Sequence, residues 1–102
     1  MTLFGEEAVA RSMASEYLEA NRQDGEDMML ALARQDTQAL VETAHRIKGA
    51  ARMVGQQALA TEAAQLEAAA RLKQLDRLGE LSQTVQALMD SIRGETGLWL
   101  DE

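Results

Sequence analysis

The chain of 102 residues contains no cysteine and no proline, only three aromatic residues, and ten Lys or Arg against seventeen Asp or Glu. Without cysteine there is no disulfide framework, no thiolate nucleophile and no cysteine-built metal site. Without proline, no helix need be kinked or stopped by one. A formal charge of −7 counts against nucleic acid or an anionic membrane as partner, because both are bound through excess Lys and Arg. No apolar run reaches the roughly 18 residues of a membrane-spanning helix, and the N-terminus lacks the basic-then-apolar order of a signal peptide. The expectation is a cytoplasmic domain without direct membrane contact. One histidine unaccompanied by cysteine falls short of the three or four ligands of a zinc site. The glycines are isolated and no GxxxxGK[ST] occurs, so no phosphate-cradling loop for ATP is expected and no cofactor is assigned.

What the chain has in quantity is alanine and leucine at helical spacing. Its length suits one domain with a modest core, here taken as residues 1–102 with a core of about 6–93 and a tail of 94–102. From Glu6 to about Arg34, apolar residues recur at Val9, Met13, Tyr17, Leu18, Met28, Met29 and Leu32. The polar stretch NRQDGED around Gly25 either divides this segment into two helices or only bends it. In RQDT, Asp36 or Thr37 can cap a new helix. That helix is expected to run to about Val54, with Gly55 placed to end it. A further segment covers about Gln57 to Leu72, and a last one begins near Asp76, a candidate N-cap, and ends at Arg93–Gly94. The closing ETGLWLDE reads as a tail, with Trp99 either packed on the bundle end or leading into a further segment.

Turning each residue by 100° sorts these segments into faces. Leu40, Ala44, Ile47, Ala51 and Val54 form one stripe. Leu59, Ala63, Leu66 and Ala70 form a second, and Leu78, Leu81, Val85, Leu88, Met89 and Ile92 a third. The methionines at helical spacing are read as core filler. Stripes on helices with short connections predict an all-α fold: an antiparallel four-helix bundle with an additional short or N-terminal helix.

The only histidine lies within AHRIKGAARMVG, residues 44–55. His45 falls about 140° from the Leu40 stripe, on the polar side shared by Gln38, Glu42, Gly49 and Arg52. Gly49 costs a helix interior roughly 1 kcal/mol relative to alanine, so something should offset it. One turn from His45, it removes a side chain beside the imidazole, while Lys48 brings a cation within reach. An exposed imidazole with a cleared approach and a nearby positive charge suits an arriving phosphoryl group.

HRIKGAARMVG is similar to the signature of histidine-containing phosphotransfer (HPt) domains, the relay modules of multistep two-component signalling. The resemblance takes in the LARQDTQALVETAH lead-in, the His-x-x-Lys-Gly core, Gly55 and the LATEAAQLEAAA helix. In detail it looks most like the C-terminal HPt module of membrane-anchored hybrid sensor kinases, which would put the domain at the cytoplasmic end of an inner-membrane protein. The resemblance implies that His45 is the phosphoacceptor, that Lys48 steadies the phosphoryl group, and that Gly49 admits a receiver domain. Glu67 matches a position where relatives often carry a polar residue bonded to the histidine, which would fix the tautomer. Arg46 and Arg52, with Gln38 and Glu42, would form the surface facing the receiver, whose acidic pocket holds Mg²⁺. The domain itself would be a monomer that binds no ion and cannot phosphorylate itself. Two alternatives stay open on the sequence: a helical scaffold without chemistry, and the histidine-bearing domain of a chemotaxis-type kinase.

Overall fold

The computed structural model describes the backbone of residues 4–101 and the side chains of residues 10–94. Four helices follow one another: α1 Phe4–Ala33, α2 Thr37–Met53, α3 Gln57–Arg71 and α4 Leu75–Asp101. The described residues hold no strand. Each helix packs on the two beside it in the order α1, α2, α3, α4 and back to α1. This is the antiparallel four-helix arrangement that short connections impose.

All three connections are three residues long and close in the same way. The backbone N–H groups of Gln35 and Asp36 return to the carbonyls of Leu32 and Ala31, those of Gly55 and Gln56 to Arg52 and Ala51, and those of Lys73 and Gln74 to Ala70 and Ala69. This paired motif satisfies the last carbonyls of a helix and needs one left-handed residue. That residue is Gln35 at φ 56°, Gly55 at φ 75° and Lys73 at φ 55°. Only the second is glycine. Gly55 therefore ends α2 as the sequence suggests, and Asp36 caps the helix start, accepting the Ala39 N–H at 3.0 Å.

The core joins Met28 of α1, Leu40, Ala44, Ile47 and Ala51 of α2, Leu59, Ala63, Leu66 and Ala70 of α3, and Leu78, Leu81, Val85 and Met89 of α4. Leu88 and Ile92 are partly buried against it. Val54 leaves the expected stripe because it is the C-cap of α2, and it stands 48% exposed. Met13 and Met29 are likewise exposed rather than core filler. The NRQDGED stretch does not divide the first segment, because α1 is one helix. Gly25 within it is buried, and a Cβ there would stand 2.9 Å from Oε1 of Gln86 on α4. Here a glycine serves close packing.

α4 starts at Leu75, so Asp76 lies in its first turn instead of capping it. The helix continues through the segment read as a tail, to Asp101. The side chain of Trp99, like those of Glu6, Glu7 and Val9, lies outside the described residues. At 1.5 Å per residue, the 30 residues of α1 and 27 of α4 outrun the 17 of α2 and 15 of α3. The molecule is accordingly long, 51 × 19 × 18 Å. Among the described residues, burial in α1 begins at Asn21 and in α4 ends at Met89. The four-helix section thus spans the α2–α3 hairpin and the halves of α1 and α4 beside it.

A left-handed backbone costs a non-glycine residue roughly 1–2 kcal/mol. Lys73→Gly should therefore raise stability to urea unfolding by about 1 kcal/mol, and Gly55→Ala should lower it by a similar amount.

Candidate functional site

The buried face of α2 decides where His45 points. With Leu40, Ala44, Ile47 and Ala51 in the core, His45 faces outward from mid-helix, its side chain 64% exposed. Its neighbours on either side are tied to other helices. Arg46 reaches α1, where Nε bonds Asp24 at 3.2 Å and Nη2 bonds Asp27 at 3.0 Å. Burial raises the Asp24 carboxyl above its usual value, and Arg46 opposes that rise. On the other side, Lys48 reaches α3.

The centre of the site is Glu67. It is an α3 residue whose side chain is only 7% exposed, and three donors converge on its carboxylate. His45 Nδ1 lies 3.2 Å from Oε2, Arg71 Nη2 lies 2.7 Å from the same oxygen, and Lys48 Nζ lies 2.7 Å from Oε1. Burial pushes the Glu67 carboxyl up, but the bonds from Lys48, Arg71 and His45 outweigh it and bring it down to about 2. Glu67 is an anion at neutral pH and can only accept. The proton of a neutral His45 ring must then sit on Nδ1, which leaves the lone pair on Nε2, the nitrogen directed away from Glu67.

Gly49 is exposed, and a Cβ built there meets nothing within 4 Å. The contrast with Gly25 is informative: a side chain at 25 would have to displace the flexible end of Gln86, whereas one at 49 would meet nothing of the fold.

His45, Lys48, Gly49 and Glu67 are thus brought together. Gln38 and Glu42 lie beside them, bonded to one another at 3.2 Å. With Val41, Arg46 and Arg71 they and His45 line a shallow open depression. Arg46 is held by α1, and Arg52 stands exposed further down the α2–α3 side with Gln57, Ala60 and Thr61. Arg71 is the participant that the sequence reading missed. Its signal was the spacing Glu67–Arg71, one helical turn, which places a guanidinium over any carboxylate that faces His45.

Residues 12–95 match the family model described as the Hpt domain. No curated protein and no solved structure matches the chain.

The Glu67 arrangement has a pH signature. A carboxyl lowered from 4.5 to about 2 on folding adds stability that is complete above about pH 4.5 and is lost as the pH falls towards 2. At about 1.4 kcal/mol per pKa unit, the loss is on the order of 3 kcal/mol. The stability difference between wild type and Glu67→Gln, from urea unfolding, should therefore shrink between pH 5 and pH 2. A difference that stayed constant would mean that the carboxylate is not held by the three donors.

Proposed function

Because the chain belongs to the Hpt domain family, whose members carry out histidine phosphotransfer in two-component signalling, we propose that His45 takes a phosphoryl group from the aspartyl phosphate of one receiver domain and hands it to the aspartate of another. The observation that carries this reading is the exposed imidazole held at Nδ1 by a buried carboxylate, beside a glycine with open space above it.

The steps follow from that geometry. Nε2 attacks the phosphorus of the aspartyl phosphate. The P–N bond forms as the P–O bond to the aspartate breaks, and the carboxylate leaves with the electron pair. The ring keeps its Nδ1 proton and becomes a cation, which the Glu67 carboxylate stabilises. Onward transfer is the same exchange in reverse, with a second aspartate oxygen as nucleophile and Nε2 as leaving group. Mg²⁺, where it takes part, belongs to the receiver. Lys48, held against Glu67, adds positive charge to the region into which the phosphoryl group arrives. Gly49 leaves room for the receiver to bring its aspartate to Nε2, and Gln38, Glu42 and Arg52 flank that approach. Arg46, bound to α1, contributes its charge from the far edge.

In this reading the chain is a monomeric relay module of a hybrid sensor kinase, working on the cytoplasmic side and drawing its phosphate from receivers. A scaffold without chemistry leaves both the three-donor carboxylate and Gly49 unexplained. The chemotaxis-type alternative differs in its donor, so loading from a phosphorylated receiver in the absence of any kinase core tests it directly.

Incubated with phosphorylated receiver domains, the wild-type chain should take up phosphate at His45, and His45→Gln should take up none while its unfolding free energy changes by less than about 0.5 kcal/mol. A large loss of stability in His45→Gln would mark the ring as structural. Gly49→Ala should gain up to roughly 1 kcal/mol, because nothing opposes its methyl group, whereas Gly49→Gln should fold normally and transfer slowly. Wild-type transfer by Gly49→Gln would remove the glycine's role in access. Lys48→Ala should leave access open and slow transfer by weakening the charge around the reacting nitrogen.

A further inference from the structure

We propose that Asp24 and Asp27 of α1 are positioning residues that hold Arg46 back from the phosphoryl group, so that the phosphohistidine is bound loosely enough to be passed on. The proposal rests on the reading of His45 as the phosphoacceptor. It goes beyond that reading by giving α1, which supplies none of the groups gathered round His45, control over how firmly the site retains its phosphate.

Arg46 follows His45 directly in α2 and is half exposed. It stands on the ridge between two depressions, the one that holds His45 and another between α1 and α2 lined by Asp27, Arg34 and Thr43. Turned towards His45, its guanidinium would suit phosphoryl oxygens, which it can hold through two donors at once. It is turned the other way. Nε bonds Asp24 at 3.2 Å and Nη2 bonds Asp27 at 3.0 Å. Two carboxylates on one guanidinium leave that flank with one net negative charge instead of a free cation. Both carboxylates are set in place for this contact. The Asp24 side chain is only 15% exposed, and burial raises its carboxyl above the ordinary value even with Arg46 opposing the rise. The second oxygen of Asp27 accepts the Gln23 amide at 3.0 Å, which fixes the carboxylate independently of Arg46. Ion pairs with a half-exposed partner stabilise a fold little, so stability explains the arrangement poorly. Relay chemistry explains it better. A phosphoryl group held by every nearby cation is stabilised on His45 and leaves slowly, because tighter binding of the ground state raises the barrier to the next transfer. Glu42, which lines both depressions, acts in the same direction as the α1 carboxylates.

Phosphoramidate, a small donor that needs no receiver, can load the purified chain: Nε2 forms the P–N bond and ammonia leaves. ³¹P NMR then gives the pH at which the phosphohistidine passes from monoanion to dianion, and a cation drawn to the group lowers that pH. The double variant Asp24→Asn, Asp27→Asn should lower it by about half a pH unit, roughly a threefold shift in equilibrium. Removing two negative charges lowers it somewhat through the field alone, so the same two changes are also made beside Arg46→Gln. There the shift should be less than about half as large, the excess being Arg46 moved onto the phosphoryl group. The Arg46 Nε–H resonance should move on loading in the double variant and stay in place in wild type. Asp27→Asn alone should act in the same direction, and carries the same cycle if the double variant is unstable, while Asp27→Glu should keep the wild-type titration. Equal shifts with and without Arg46 overturn the proposal, because they leave only the field of the carboxylates. So does an Arg46 resonance that moves on loading in wild type, or that ignores loading in the double variant. Failure of the wild-type chain to load any more phosphate than His45→Gln overturns the underlying reading instead, so the two failures are distinguishable.

Discussion

A single buried carboxylate organises the site. Removing Glu67 from water is costly unless its charge is met by partners, and here it is met by an ammonium, a guanidinium and an imidazole N–H. Two of these donors sit on α2 and one on α3 with Glu67 itself, so the carboxylate also fastens the hairpin across its outer seam. The same contact that satisfies the buried charge dictates which ring nitrogen of His45 carries the proton. Stability and chemical competence are therefore one interaction seen from two sides. Loss of Glu67 would release the ring, Lys48 and Arg71 together.

The helices around this contact work as a rigid mount. Core side chains from four helices fix the rotation of α2 about its axis, and the Arg46 bonds to Asp24 and Asp27 lock it against α1. Lys48 and His45 close the other side against α3. With both flanks held, the outward face of α2 has one orientation in which to present His45. The two informative glycines then have opposite meanings. Gly25 is buried beside the flexible end of Gln86 of α4, which a side chain there would have to move. Gly49 faces open space in a helix that alanine would stabilise, and on the proposed function its explanation is the receiver that approaches from outside.

Much of this was legible in the sequence because it follows from periodicity. The α2 and α3 stripes needed only a 100° turn per residue, and the same turn placed His45 outside the core. The exception was Val54, where the helix ended a residue early and a geometric stripe ran on past it. Boundaries in α1 and α4 were harder to read for a related reason. Polarity around Gly25 resembles a break, yet the residues on either side continue the helical register, and a single buried glycine does not stop a helix that is packed on both neighbours. Likewise Gly94 reads as a terminator, but a glycine ends a helix only if the backbone there turns left-handed, and α4 continues. Glu67 could be suspected from family likeness. Its three donors could not, since the distances depend on how α3 is rotated against α2. Arg71 was passed over because an exposed arginine one turn from a glutamate is ordinary on any helix surface. Only the burial of that glutamate makes it exceptional.

The net charge of −7 conceals a division that matters for partner choice. Between residues 37 and 71, Glu42, Glu62 and Glu67 stand against Arg46, Lys48, Arg52 and Arg71, so the α2–α3 hairpin carries +1 and the rest of the chain −8. On the proposed function, an acidic receiver pocket would meet less repulsion at the hairpin that presents His45 than at the acidic remainder of the chain. Fields of this kind act on encounter and orientation more than on final affinity. On the proposed function the charges divide along the chain: an acidic remainder that disfavours an acidic partner, and a hairpin whose cations gather round one carboxylate and leave one imidazole nitrogen open.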